Sequence, residues 1–455
     1  MHLNLCRLSS AETREDAEMR KIAILAMLIL LAGATGLFVG CQAEESDVAE
    51  DSDADEGADA SEQAESGEVV LDFFQFKPDL DGAYKDLARE FEEQHEDVIV
   101  AVETRGGGEQ WQTIIQSRFA TGGGPNIFPV EGEGQYEEWQ DFIADLSDEP
   151  WMETAIPSAL TGLEIDGRQM GMPQAFEGYG YIYNKDMFDD AGIDEVPTTL
   201  SELEAAAQQL QDAGYQPFAT GYGTWWVMGL HLLNTPFANQ PDPHGFIDGL
   251  NEGTESMADN ELFQDLGDLI DLTVEYGESN PLTTDHNQQV QLFADEQVAM
   301  IQQGVWKEIP IFEANPDINV GVTPMPLNDE DNFDHLAVGV PFYFAVNSQA
   351  SEREQEMSRE FLEFMVMSET GQEYITNEFN FIPTYEGIEG GGLGGVANGI
   401  LEYTAEDKTI PWVFGEFPAG FADDAADAIQ AYVADQRGWD ETLERLDASW
   451  QDRAE

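Results

Sequence analysis

The tightest constraint on the fold is a strand, helix and strand in succession within residues 69–103. Val69–Phe76 (VVLDFFQF) reads as a buried strand. Ala83–Gln94 follows as a helix, with Tyr84, Leu87, Ala88 and Phe91 on one face at three-to-four spacing. Val98–Glu103 is then a β-branched strand. Two strands joined by a helical crossover run parallel, so the unit calls for an α/β lobe. A second helix over Gln110–Ala120 and a short strand over Asn126–Val130 extend it.

The chain beyond residue 68 is longer than one hydrophobic core supports, so two lobes are expected. Periodicity predicts helices over Leu200–Ala213, Glu261–Glu275, Glu352–Met367, Phe421–Val433 and Trp439–Trp450. A further helix includes Val290–Ala294, and Thr199 or Ser201 is available to cap the first of these. Short apolar strands are read at Val298–Gln302 and Ile318–Val322. The glycine-rich stretch Ile388–Gly399 is expected to be a surface loop.

Charge narrows the setting. The chain has 92 acidic and 18 basic residues, a formal net charge of −74. Residues 1–40 carry four of each sign, and residues 42–68 carry 12 acids and no base. A net charge of −62 therefore sits on residues 69–455. A compact body with that charge repels itself unless salt shortens the Debye length, to ~3 Å at ~1 M. A salt-loving host is the expectation. Nucleic acid is not an expected partner, because no basic patch meets phosphates.

The N-terminus reads as an export address. Met19 is taken as the start; Arg20 and Lys21 precede an apolar run from Ile22 to Gly40, and Cys41 follows. The sequence LFVGC at Leu37–Cys41 resembles the lipobox of bacterial lipoproteins, which implies lipidation at Cys41. An uncleaved membrane anchor is the alternative, since the run is long enough to span a bilayer. Residues 42–68 lack aromatic side chains and read as a disordered acidic tether. Asp51, Asp53, Asp55 and Glu62 fall at calcium-loop spacing, but Glu56 stands where that loop requires glycine.

The central segment carries the most specific signal. From Gly178 to Tyr183 the chain reads as an alternating strand; Asn184 starts a turn, and Lys185–Ala191 returns as a helix. Tyr183, Asn184, Lys185, Asp186 and Phe188 lie in YNKDMF. Gly192, Ile193, Pro197, Thr199, Glu202, Leu203, Ala213, Gly214 and Pro217 follow at set intervals. Together with Phe293–Trp306 (FADEQVAMIQQGVW) and with Gln372, Tyr374, Ile382 and Pro383, they resemble the extracellular solute-binding proteins of carbohydrate importers, the maltose-binding group. The sequence departs from the pattern at Leu200, Asn126 and the pair Asp295–Glu296.

That resemblance implies a periplasmic-binding-protein type II fold: two α/β lobes, each a mostly parallel sheet flanked by helices, with a hinge between. Lobe one is expected from 69–173 with 323–383, lobe two from 174–322 with 384–455. It also implies a monomer that is not an enzyme, needs no cofactor, binds a sugar, and docks on the transmembrane subunits of an ABC permease.

A sugar offers apolar C–H faces and a rim of hydroxyls, so aromatic rings, carboxylates and amides are the candidates. Trp306 follows Gly304 at the position that stacks on sugar in the family. Trp225 and Trp226 sit in a glycine-flanked stretch, Gly221–Gly229, and one of the two is expected to face out. Glu131 and Glu133 follow the strand ending at Val130, and Gln75 and Phe76 end the first strand, where α/β lobes meet ligands. By the resemblance, Gln174, Phe176 and Glu177 lie at the crossing between lobes, and Trp412 and Phe414 form a wall. Tyr343 lies in a strand and reads as either core or cleft. Gly106–Gly108 reads as a backbone approach or a turn.

The histidines His95, His231, His244, His286 and His335 show no metal spacing. TGGGP at Thr121–Pro125 lacks the lysine of a phosphate loop. Two other readings remain open: a betaine-like solute held in a Trp/Tyr cage, and an extracellular glycoside hydrolase using a carboxylate pair.

Overall fold

A computed structural model describes residues 68–106, 111–330, 333–388 and 394–454. The export segment, Cys41, the acidic tether, Gly107 and Gly108 lie outside the described residues. In chain order the strands are β1 (Val69–Gln75), β2 (Val98–Thr104), β3 (Ile127–Val130), β4 (Glu164–Ile165) and β5 (Arg168–Gln169). Then come β6 (Met172–Pro173), β7 (Glu177–Asn184), β8 (Gln216–Ala219) and β9 (Val298–Gly304). The last are β10 (Val320–Thr323), β11 (Leu336–Gly339), β12 (Tyr343–Val346) and β13 (Thr409–Ile410).

These strands form two main sheets, one per lobe. The first runs β2-β1-β3-β12-β6, and the second runs β13-β11-β7-β9-β8, with β10 pairing β7 beside β11. Leu336–Gly339 thus pairs in the second sheet, whereas the sequence reading put it with lobe one. The main chain passes from the first sheet to the second between β6 and β7. It returns between β11 and β12 and crosses a third time between β12 and β13, a stretch that includes Ile382. Phe176 N–H donates to the Ile382 carbonyl at 2.9 Å, so two crossing segments are tied at the hinge.

The sheets are mixed rather than mostly parallel. β1 is parallel to β2 and to β3, as the helical crossovers demand. The antiparallel strands are chiefly those entered from the other lobe. β7 opposes β9, β10 and β11, and β12 opposes β3 and β6. A strand reached by crossing between lobes has no helix to reverse it, so its direction is free of the βαβ rule.

Alternation along β1 builds both cores of its lobe. Leu71 and Phe73 join the cluster under the helices Asp81–Glu92 and Glu352–Met367. Phe74 points to the other face, with Trp111, Ile115, Phe128 and Trp139. β7 shows no such contrast; nearly all of it is buried, because helices cover both faces of the second sheet.

The helix ends follow the caps. Thr199 Oγ1 accepts from Glu202 N–H at the head of Leu200–Ala213, and Gly214 closes that helix in the left-handed conformation at φ +98°. Ser351 and Glu354 form a reciprocal capping box ahead of Glu352–Met367. The expected loop at Ile388–Gly399 is in part helix, since Gly395–Ala405 packs Val396, Ala397 and Ile400 against the second sheet. Burial of that apolar face outweighs the glycines. Among the described residues no helix is long and apolar enough to cross a membrane.

Candidate functional site

A cleft of about 230 Å³ is lined by residues of both lobes. Its walls gather at strand ends. Phe76 follows β1, Glu131 follows β3, Trp306 follows β9, and Trp412 and Phe414 follow β13. Glu177 opens β7 at the hinge. The carboxyl end of a strand leaves side chains beyond the sheet edge, where no neighbouring strand covers them.

Aromatic rings line this space on both lobes. Trp306 lies 6.2 Å from Trp226 at 77° and 6.2 Å from Trp412 at 82°. Trp412 packs on Phe414 at 5.1 Å. On the first lobe Phe76 stacks on Trp111 at 4.8 Å, nearly parallel. Such rings present flat apolar faces to a ligand with C–H surfaces.

A buried amide chain fixes the Trp306 ring. Trp306 Nε1–H donates to Gln303 Oε1 at 2.9 Å, Gln303 Nε2 donates to Gln289 Oε1 at 2.7 Å, and Gln289 Nε2 donates to the Ala219 carbonyl at 2.7 Å. Gly304 leaves room for it: a Cβ there would stand 2.3 Å from the indole and 2.5 Å from the Gly178 carbonyl.

Charged groups enter in pairs. Lys77 Nζ bonds Glu177, and Lys307 Nζ meets Asp79 Oδ2 at 3.2 Å, so both pairs join the two lobes. Burial pushes the Glu131 carboxyl up to about 7, against the pull of hydrogen bonds from Gln112 and Gln135. His231 is enclosed by Tyr179, Trp226, Trp306, Trp412 and Phe414. Burial, helped by the Lys77 charge, holds it down at about 3. His286 is held at about 4 by burial and by Lys307. Both imidazoles are thus neutral at pH 7. Among the described residues no group of three His, Cys, Asp or Glu side chains could hold a metal ion.

Of the sequence candidates, Trp306, Trp225, Trp226, Trp412, Phe76, Glu131 and Glu177 line the cleft, as do Phe414 and Gly106. Three do not. Gln75 is fully buried, bonding Thr104 and accepting from Lys77 N–H. Tyr343 is core, its hydroxyl accepting from Gly162 N–H at 3.0 Å. Glu133 is exposed at the start of the helix Glu133–Trp139. For Gln75 and Tyr343, strand alternation turned the side chain into the lobe.

Gln174 is also buried, donating to Tyr84 Oη at 2.6 Å. Trp225 and Trp226 both reach the cleft, contrary to the expectation that one faces out. They begin a helical turn, where adjacent side chains diverge by about 100° rather than opposing each other as in a strand. Lys77, Trp111, His231, His286 and Lys307 were missed. Lys77 and Lys307 each follow a flagged aromatic residue at a strand end, which was a usable signal. His231 had none, because a helical run placed it.

The fold and this cleft define a binding protein with its site between two lobes. The model of the family described as "bacterial extracellular solute-binding protein" matches residues 77–372, and the chain belongs to that family. A multiple sugar-binding protein of Streptococcus mutans is 20% identical over 317 residues, covering 68% of this chain and 73% of that protein. The melibiose/raffinose/stachyose-binding protein MelE of Bacillus subtilis is 23% identical over 259 residues, 53% of this chain and 57% of MelE. Two solved structures share the fold. RafE in complex with raffinose has a TM-score of 0.73 at 18% identity, covering 85% of this chain and all of RafE. A Bacillus licheniformis sugar transporter in complex with stachyose has a TM-score of 0.72 at 20% identity, with 85% of this chain covered.

Proposed function

We propose that this chain is the extracytoplasmic binding component of an ABC importer, capturing a sugar or short oligosaccharide between its lobes. The observation that carries this reading is the set of rings around Trp306, which line one cleft together with Phe76 and Trp111 of the other lobe. Rings on both lobes can cover both faces of a pyranose, and Glu131 and Glu177 accept from hydroxyls. The names of the relatives point to the same ligand class. The ligand-binding set is Trp306, Trp225, Trp226, Trp412, Phe76, Glu131 and Glu177. Closure is a hinge motion at the crossing segments near Phe176 and Ile382, and the closed form docks on the permease. The protein works as a monomer without a cofactor. A lipid on Cys41 and the acidic tether keep it near that partner and raise its local concentration.

A melting screen at molar salt with mono-, di- and trisaccharides beside betaine tests the ligand class. A saccharide at 100 times its Kd stabilises by about 2.7 kcal/mol, and betaine leaves the transition in place. A shift with betaine and none with any saccharide would sink the sugar reading. Trp306→Ala then weakens sugar binding at least ~10-fold, the loss of one central aromatic anchor. Turnover of a chromogenic glycoside would point instead to a hydrolase. Incorporation of labelled fatty acid that Cys41→Ser abolishes tests the anchor.

A further inference from the structure

Two ammonium groups enter the cleft. Only five lysines follow the export segment, in a body with a net charge of −62, yet two of them line this one space. Lys307 is buried, and the Lys77 side chain is 13% exposed. An ammonium carries three N–H donors, and among the described residues each of these meets a single carboxylate oxygen. A buried donor without an acceptor costs free energy, so the arrangement awaits a partner that accepts.

Sugar hydroxyls can donate to Glu131 and Glu177, but at an ammonium a neutral hydroxyl is a weaker partner than a charged acceptor. A carboxylate or sulfate only accepts. The two ion pairs also differ. Glu177 is buried beside Lys77 and has nowhere to go. The Asp79 side chain is 46% exposed, and its single contact with Lys307 is 3.2 Å long. Asp79 can turn to water and leave the Lys307 ammonium to an incoming anion, with no carboxylate stranded in the interior.

We propose that the cleft takes a saccharide bearing an anionic substituent, a uronate carboxylate or a sulfate, held by Lys307 with Lys77 beside it while the rings cover the sugar faces. This rests on the cleft being the sugar site proposed above. The negative body does not forbid it: at ~1 M salt repulsion fades beyond ~3 Å, whereas a buried ammonium in direct contact is screened far less.

The test titrates the full chain at molar potassium chloride, following tryptophan fluorescence. Ligands are uronate di- and trisaccharides of the galacturonate, glucuronate and mannuronate series, each beside its methyl ester. A sulfated disaccharide beside its desulfated form, and neutral raffinose and maltotriose, complete the panel. At least one acid form binds ~10-fold or more tightly than its ester, Lys307→Met removes the preference, and Lys307→Arg retains it. The same pattern confined to the sulfated pair assigns the anion as sulfate and supports the proposal equally. Neutral forms binding as well as or better than every charged form would overturn it and leave the sugar reading standing. No binding by any saccharide would overturn both. Matching melting curves for Lys307→Met and wild type separate a lost contact from a lost fold.

Discussion

At the residue scale, two titratable groups in the cleft pull stability in opposite directions with pH. His231 has a folded pKa of about 3 against an ordinary 6.5. Between those values the unfolded chain holds a proton that the folded chain does not, so stability rises with pH across that window. Glu131 has a folded pKa of about 7 against 4.5. Its folded form keeps a proton the unfolded chain has lost, so its contribution is complete below pH 4.5 and disappears as pH rises through 7. The variants separate the two effects. In ligand-free melting curves, His231→Phe gains on wild type as pH falls below 6.5, and Glu131→Gln gains as pH rises from 4.5 to 7. Parallel pH profiles for wild type and both variants would remove these groups from the account.

At the element scale, β9 ends in a glycine because two neighbours share its space. Gly304→Ala drives a methyl into the Trp306 indole and toward the Gly178 carbonyl of β7. The expected result is a loss of about 1–3 kcal/mol from overpacking, together with at least ~10-fold weaker sugar binding as the ring leaves its place. Ser351→Ala, at the capping box of Glu352–Met367, is the contrast. None of that helix's residues lines the cleft. The substitution costs about 1 kcal/mol by denaturant unfolding and leaves ligand affinity unchanged.

At the scale of the whole molecule, charge is the governing term. With −62 on the body, the folded state carries a self-repulsion that salt relieves. The melting temperature therefore rises between 0.15 M and 2 M potassium chloride. A flat or falling curve would remove the salt-loving expectation. The two lobes meet at the crossing segments and across the Lys77–Glu177 and Lys307–Asp79 pairs, and a ligand shifts them toward closure only by the free energy it gains in the closed form over the open one.

The sequence by itself determined the elements and the family. Leu200–Ala213, Glu261–Glu275, Glu352–Met367 and Phe421–Val433 have the bounds read from their periodicity, because caps and apolar spacing are local properties. It also located Phe76 and Glu131, since a residue just past a strand end is exposed by geometry alone, and Trp306 through the family resemblance. The tertiary structure decided what depends on distant partners. It turned Gln75 and Tyr343 inward, put both Trp225 and Trp226 on one helical turn, and set β7 and β12 antiparallel. It also brought Lys77 and Lys307, 230 positions apart, to the same cleft. Spacing along a chain fixes which way a side chain points within its own element. Which surface that element then meets is settled only when the lobes pack, and most of this binding site lies in that second step.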